Sequence, residues 1–319
     1  MLKPRCLVST FVKCMFMLSC GTACAQSYPG KLIRIHTTSA GSGNDFIARL
    51  ISNGVSGPLG QAIVVENQRN PILAAESAAK ASPDGYTLRV HGGTVWILPL
   101  LQKLSYDVVR DFLPIALISR DVSIVAVHPS IPAKSIKELV ALAKARPGEI
   151  NFSVANPGGT ANLATALFKS MTGINIVHVP YGGNPPAVTA VLGGEVHAAI
   201  MDAGLMKPHI ASGKLRALAV TSAEPSVLVP GLPTLAATVP GYEHVGMTGV
   251  WAPTKTPAAI ITRLNQEIVR YVNTAEARER ILSAGAEVVA SNPEQFATII
   301  KADIVRKSKL IQEVGITVQ

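Results

Sequence analysis

Beyond Cys24 this 319-residue chain has no cysteine; Cys6, Cys14, Cys20 and Cys24 all fall within its first 24 residues. Without that stretch the product has neither a disulfide nor a thiol nucleophile. Aromatic residues make up only 5% of the chain, and its bases are scattered, as at Lys134/Lys137 and Arg278/Arg280. The dense basic stripe with interleaved aromatics that grips nucleic acid is therefore missing, in spite of a formal charge of +9. The seven histidines (His36, His91, His128, His178, His197, His209, His244) show no metal-ligand spacing and form no H-E-x-x-H. There is no G-x-S-x-G nucleophile elbow. No stretch approaches the ~20 apolar residues of a membrane-spanning helix. These absences argue against nucleic-acid binding, thiol chemistry and zinc hydrolysis, and no metal, cofactor or enzyme activity is expected.

What is present begins at the N-terminus. Lys3 and Arg5 precede an apolar run, Cys14-Met15-Phe16-Met17-Leu18, and Ala23-Cys24-Ala25 supplies a small-x-small cleavage site before Gln26. This pattern predicts a secretory signal peptide over residues 1–25, cleaved after Ala25, and hence an exported product. A lipid anchor at Cys20 is the poorer reading, because Met17 stands three residues before it. Cleavage would leave 294 residues (319 less 25) and, with Lys3, Arg5 and Lys13 gone, a formal charge of +6. A chain of that length can bury a core without covalent staples.

Strand and helix signals alternate from Lys31 onwards, which predicts an α/β fold with largely parallel sheets. Strands are expected at 32–36, 63–66, 86–90, 151–154 and 174–179. Helices are expected to start at an Asp45 cap and stop at Gly54 and Gly57-Pro58, to start at the capping box Ser135-x-x-Glu138, and to follow Asn184-Pro185, Thr256-Pro257 and Asn292-Pro293. Ile260, Leu264, Ile268 and Val272 form an apolar stripe that belongs in a core. Two short apolar strands, 122–127 and 249–252, read as crossings between two lobes. Lobe one is placed at 26–120 plus 247–319, and lobe two at 121–246.

Chemistry-bearing side chains are scarce along this frame, but loops of small residues that open helices recur. Ser39, Gly41, Ser42, Gly43, Asn44 and Asp45 follow the first strand; Ala155, Asn156, Gly158, Gly159 and Thr160 follow the strand at 151–154. Such loops aim backbone N–H groups and a helix N-terminus at one point, an arrangement that attracts anions. Each terminus contributes about 0.3–1 kcal/mol to an anion, and each hydrogen bond to a charged acceptor about 1.5–3 kcal/mol. Several together reach the roughly 8 kcal/mol of micromolar binding. Read instead as a dinucleotide fingerprint, Gly41-Ser42-Gly43 lacks its third glycine, since Phe46 occupies that place. A plain turn is the remaining alternative for the first loop. Tyr181 either lays its ring over a ligand or packs in the core, and Asp202 either recognises a hydroxyl or amine or caps the turn at Ala203-Gly204. The pattern is that of a holder of small anions.

Several stretches resemble the tripartite tricarboxylate transporter receptors, the Bug family of periplasmic solute-binding proteins. They are Pro83-Asp84-Gly85-Tyr86-Thr87-Leu88, His128-Pro129-Ser130-Ile131-Pro132-Ala133-Lys134-Ser135, Ile176-Val177-His178-Val179-Pro180-Tyr181, Gly213-Lys214-Leu215-Arg216-Ala217-Leu218-Ala219-Val220-Thr221-Ser222, and Trp251-Ala252-Pro253 with Thr256-Pro257 and Arg263-Leu264-Asn265. The resemblance implies a two-lobe, type II-like binding-protein fold, with two doubly wound sheets joined by a two-strand hinge. It also implies capture of a small carboxylate or amino-acid ligand by a monomer in the periplasm, and delivery to integral-membrane permease subunits. A receptor that feeds a sensor kinase is the alternative. The resemblance further implies that the loops at 39–45 and 155–160 hold the carboxylate, with Tyr181 and Asp202 facing the cleft. This chain departs from the family pattern at Thr38-Ser39-Ala40-Gly41-Ser42, where phenylalanine, prolines and glycines are usual, and at Gln68-Arg69-Asn70-Pro71-Ile72-Leu73 in place of a glycine-rich loop. Asn162, Ala166, Gly182 and Met247 likewise stand where a histidine, an acid, a lysine and an aromatic are usual.

Overall fold

The computed structural model describes residues 28–38, 40–68, 70–155 and 160–314. The expected signal peptide, its expected cleavage site and Cys20 lie outside the described residues.

Strand β1 (Ile33–Thr37) is buried along most of its length and lies between β2 (Ile63–Asn67) and β3 (Thr87–Gly92), parallel to both. Helix α1 (Gly43–Leu59) packs on this sheet through Ile47, Leu50, Ile51, Val55 and Leu59, the spacing of one helical face. Its cap is Ser42, whose hydroxyl accepts the Asp45 N–H at 3.2 Å, in place of the expected Asp45. The helix also continues through Gly54 and Gly57, where a stop was expected. Gly54 is there for space: a Cβ built on it would lie 2.1 Å from Cζ of Tyr271. The helix ends instead at Gly60, in the left-handed conformation (φ +68°) that favours glycine. Helix α2 (Pro71–Ala79), capped by Asn70, and α3 (Thr94–Leu101) follow β2 and β3.

After a short helical turn, α4 (Val108–Asp111), the chain enters the 16-residue strand β4 (Phe112–Val127). From Phe112 to Val122 it pairs antiparallel with β9 (Val245–Pro253). From Ser123 to Val127 it pairs with β7 (Ala198–Asp202), and over Ile124–Val127 with β8 (Arg216–Val220) as well, antiparallel to both. One strand is thus common to two sheets, in the order β2-β1-β3-β9-β4-β7-β5-β6. In the second sheet β5 (Asn151–Val154) lies between β7 and β6 (Val177–Pro180), parallel to each. Helices α5 (Ile136–Ala145), α6 (Thr160–Thr172), α7 (Asn184–Leu192) and α8 (Ala203–Ala211) surround it. Pairing is parallel among the outer strands, as expected, but antiparallel at β4 and β9, where the chain crosses and returns. The short segments 122–127 and 249–252 are parts of these longer strands.

The return through β9 leads to α9 (Ala258–Val272), α10 (Ala275–Ser283), β10 (Ala286–Val288), which pairs with β4, and α11 (Pro293–Val314). Leu264, Ile268 and Val272 of α9 are buried in the core around β1 and α1, with Ile261 beside them and Ile260 at the margin. Two caps shift by a residue from expectation: α7 already includes Asn184 and α9 begins after Pro257. The Asn292 cap stands as a reciprocal pair, with Gln295 N–H donating to Asn292 Oδ1 at 2.8 Å and Asn292 N–H to Gln295 Oε1 at 3.0 Å. Separate apolar cores fill the two halves. A further cluster of Trp96, Trp251 and Phe296 takes in Leu163 of α6, so the halves also touch away from the shared strand. The molecule is a two-lobe α/β protein with helices on both sheets.

Candidate functional site

The loop before α1 is tied together by its own acid. Asp45 is buried, and its carboxylate accepts from Gly41 N–H (2.9 Å), Arg49 Nε (3.0 Å) and Asn67 Nδ2 (2.7 Å). Burial alone would raise this carboxyl, but the bonds from Arg49, Asn67 and Gly41 outweigh it and hold the group below the usual carboxylate range. Gly41 takes a left-handed conformation (φ +80°) to bring its N–H to that carboxylate. The Ser42 hydroxyl is shared between the Asp45 N–H and Thr38 Oγ1. Gly41, Ser42 and Asp45 therefore brace the loop. Gly43 and Asn44, in the first turn, have N–H groups without an acceptor inside the helix. Asn44 is oriented by Thr248 of β9, whose hydroxyl donates to Asn44 Oδ1 at 3.2 Å. Gly92 keeps this space open: a Cβ there would lie 3.0 Å from the Met247 carbonyl and 3.4 Å from Asn44 Oδ1.

In the other lobe, Ala155 is buried at the end of β5, and α6 opens at Thr160. Ser39, Asn156, Gly158 and Gly159 lie outside the described residues. Asp202 closes β7 and accepts from Ser123 Oγ at 3.4 Å and Asn184 Nδ2 at 3.3 Å. Burial raises its carboxyl above the usual range. Tyr181 is half-buried and packs at the margin of the α7–α8 core, with its N–H on the Val154 carbonyl.

Gly43 and Asn44 from α1, Thr160 from α6 and Asp202 line one cavity of about 240 Å³. The two helix N-termini thus face the same space from opposite lobes. Gly41, Ser42, Asp45, Ala155 and Tyr181 are not among its lining residues. The volume is below the roughly 300–1,000 Å³ of drug-sized sites and suits a metabolite of few heavy atoms.

Other residues in the lining were not singled out from the sequence. Asp121 of β4 stands opposite Gly246 of β9. Burial, with Asp202 adding a like charge, pushes its carboxyl up to about 7. Lys307 of α11 is 3% exposed, and burial pulls its ammonium down to about 8. Asp303, one helical turn earlier, accepts from Trp96 Nε1 at 2.7 Å. His244 is buried and held neutral by desolvation, with Lys307 and Arg306 adding to the effect. A signal for the α11 pair did exist: Phe296, Ile300, Asp303 and Lys307 recur on one helical face, so the two charges continue an apolar stripe into the interior. Among the described residues no group of three or more His, Cys, Asp or Glu is arranged to hold a metal ion.

Two lobes around a shared strand, with helix N-termini facing one small cavity, define a solute-binding receptor. Residues 47–316 match the tripartite tricarboxylate transporter family receptor, and the chain belongs to this family. Protein BugT of Bordetella pertussis is 32% identical over 311 residues, spanning 94% of this chain and 95% of that protein. Among solved structures, R. palustris Rpa4515 with adipate superposes with a TM-score of 0.79 at 32% identity, covering 91% of this chain and 99% of the other. MatC from Rhodopseudomonas palustris with bound malate gives 0.74 at 28% identity, covering 89% and 100%. The family is one of receptors, not enzymes, and its fold is the two-lobe periplasmic binding-protein fold.

Proposed function

We propose that this chain is exported to the periplasm, captures a small organic carboxylate between its lobes, and passes it as a monomer to integral-membrane permease subunits of a tripartite transporter. The observation that carries the reading is the convergence of the α1 and α6 N-termini on one cavity. A carboxylate there accepts from the N–H groups of Gly43 and Asn44 and meets the positive end of each helix dipole, as at other anion sites on helix N-termini. Lys307 adds a positive charge to the same lining, and partial desolvation strengthens its attraction for an anion. The adipate and malate of the related structures are consistent with this solute class. In this reading lobe one comprises 26–120 plus 247–319 and lobe two 121–246. The exchange of β4 partners between Val122 and Ser123 supports that division. The loops at 39–45 and 155–160, with Asp202, frame the ligand. Gly41, Ser42 and Asp45 act by shaping the loop, and Tyr181 by packing beneath the cleft.

The test is calorimetry on ligand-stripped protein against dicarboxylates, tricarboxylates, amino acids and aromatic acids. Saturable binding of at least one carboxylate is expected, and its absence across the whole set would refute the reading.

A further inference from the structure

The hinge side of the cavity holds more negative than positive charge. Ser123 faces Asp202 across the β4–β7 pair, and Asp121, two residues earlier, projects from the same face of β4. The two carboxylates are therefore diagonal neighbours, and both line the cavity. The Asp121 carboxylate makes no hydrogen bond or ion pair with another described residue; the like charge of Asp202 is its only resolved charge interaction. Gly246 leaves room for it: a Cβ there would lie 3.0 Å from Asp121 Oδ2. Ser119, two residues before Asp121, also lines the cavity, is 1% exposed, and has a hydroxyl without a partner. An orphaned buried hydroxyl beside a carboxylate without a partner marks a place built for a polar group from outside the chain.

The other titratable and charged groups around the pair do not neutralise it. His244, which precedes β9, is kept uncharged by burial. From α11, Lys307 interacts with Asp303, Arg306 and Glu243, and not with Asp121 or Asp202. Arg120, the neighbour of Asp121, is committed to Glu287 of β10 at 2.7 Å. The cavity thus has the Lys307 cation beside the Asp303 carboxylate toward α11, where Asp303 is bonded to Trp96, and a separate pair of acids toward the hinge. A ligand bearing only carboxylates would satisfy the first and leave the second facing like charge.

We propose that the ligand is zwitterionic, an amino acid or another aminated carboxylate. Its carboxylate lies toward Lys307 and the N-termini of α1 and α6, and its ammonium lies against Asp121 and Asp202 with Ser119 beside it. The inference rests on the receptor reading above and names the class of solute within it. An ammonium favours the ionised form of Asp121, so binding near pH 6–7 releases a proton. Affinity falls as the pH drops below about 7, where the free protein takes that proton up.

The experiment titrates ligand-stripped full-length mature protein with the twenty common amino acids and with the corresponding desamino carboxylates, in buffers of differing ionisation enthalpy. At least one amino acid should bind about tenfold or more tightly than its desamino partner, with proton release. Asp121→Asn should erase that preference while leaving the melting temperature unchanged or raised, because it removes an unpaired, half-buried acid. Gly246→Ala, which crowds the Asp121 carboxylate without removing it, should reduce the preference in the same direction. Desamino carboxylates that bind as tightly as the amino acids, or more tightly, would overturn the proposal and leave the receptor reading standing. Binding in neither arm would overturn the proposal too, and the receptor reading would fall with it only if tricarboxylates and the remaining acids of the wider set also failed to bind.

Discussion

Asp45 shows how a residue in a binding loop serves by holding the loop's shape. Its carboxylate is buried and gathers one backbone and two side-chain donors, all from residues that are themselves exposed. Replacing it with alanine removes all three bonds to a charged acceptor, while the Asn67 amide keeps its bond to the Thr38 carbonyl, and should cost about 1–3 kcal/mol in denaturant unfolding at pH 7. Because its folded carboxyl lies below the unfolded one, the stabilisation is complete above the unfolded value near pH 4. It is lost as the pH falls through the folded value. The gap between wild type and Asp45→Ala should therefore narrow between pH 5 and pH 2. A gap that stays constant over that range would show that the carboxylate's charge is not what holds the loop. The sequence placed an acid in this loop, but not its partners, because Asn67 arrives from β2 and its approach depends on the β1–β2 register.

At the scale of elements, the caps and stripes that depend on neighbours a few residues away were legible. Ser135 bonds the Glu138 N–H, Asn292 and Gln295 cap each other, and the α9 stripe is buried. Features set by distant partners were not. Helix α1 passes Gly54 because Tyr271 of α9 needs the room, and β4 is long because two sheets share it. Lys307 and Asp303 also escaped notice, since charged residues near the end of a helix are usually solvated. Their burial follows from the docking of α11 by Phe296 and Ile300 into the tryptophan cluster and from the Trp96–Asp303 bond. Trp96→Phe keeps an aromatic ring but removes the donor together with part of the buried indole, so it should destabilise the protein by about 1–3 kcal/mol in urea unfolding. A neutral result would mean that the Asp303 carboxylate finds another donor, and that α11 does not depend on this clasp.

At the scale of the whole molecule, the lobes are joined by β4 and β9 and meet again at two glycines. A Cβ on Gly204 of α8 would lie 2.9 Å from the Ala284 carbonyl, and one on Gly285 would lie 2.5 Å from Gly204 Cα. This contact sets how closely α8 can approach the α10–β10 turn. Gly204→Val should wedge the lobes apart, weaken carboxylate binding about tenfold or more, and enlarge the radius of gyration in X-ray scattering with ligand present. Unchanged affinity and radius would show that closure does not pass through this contact. The overall plan was largely readable, because alternating strand and helix signals and two glycine-bearing loops point to paired α/β lobes. Of the charges that line the cleft, Asp202 was singled out from the sequence, but Asp121 and Lys307 were not, because they come from separate elements that meet only on folding.

The central claim is that a carboxylate sits between the two helix N-termini. The direct test is a crystal structure of the mature protein with a carboxylate that binds it saturably in solution. Carboxylate oxygens should lie within hydrogen-bond distance of the Gly43 or Asn44 N–H, and Thr160 should close on the same ligand from the opposite lobe. A ligand seated elsewhere on the molecule, with the space between α1 and α6 holding only water, would contradict the account.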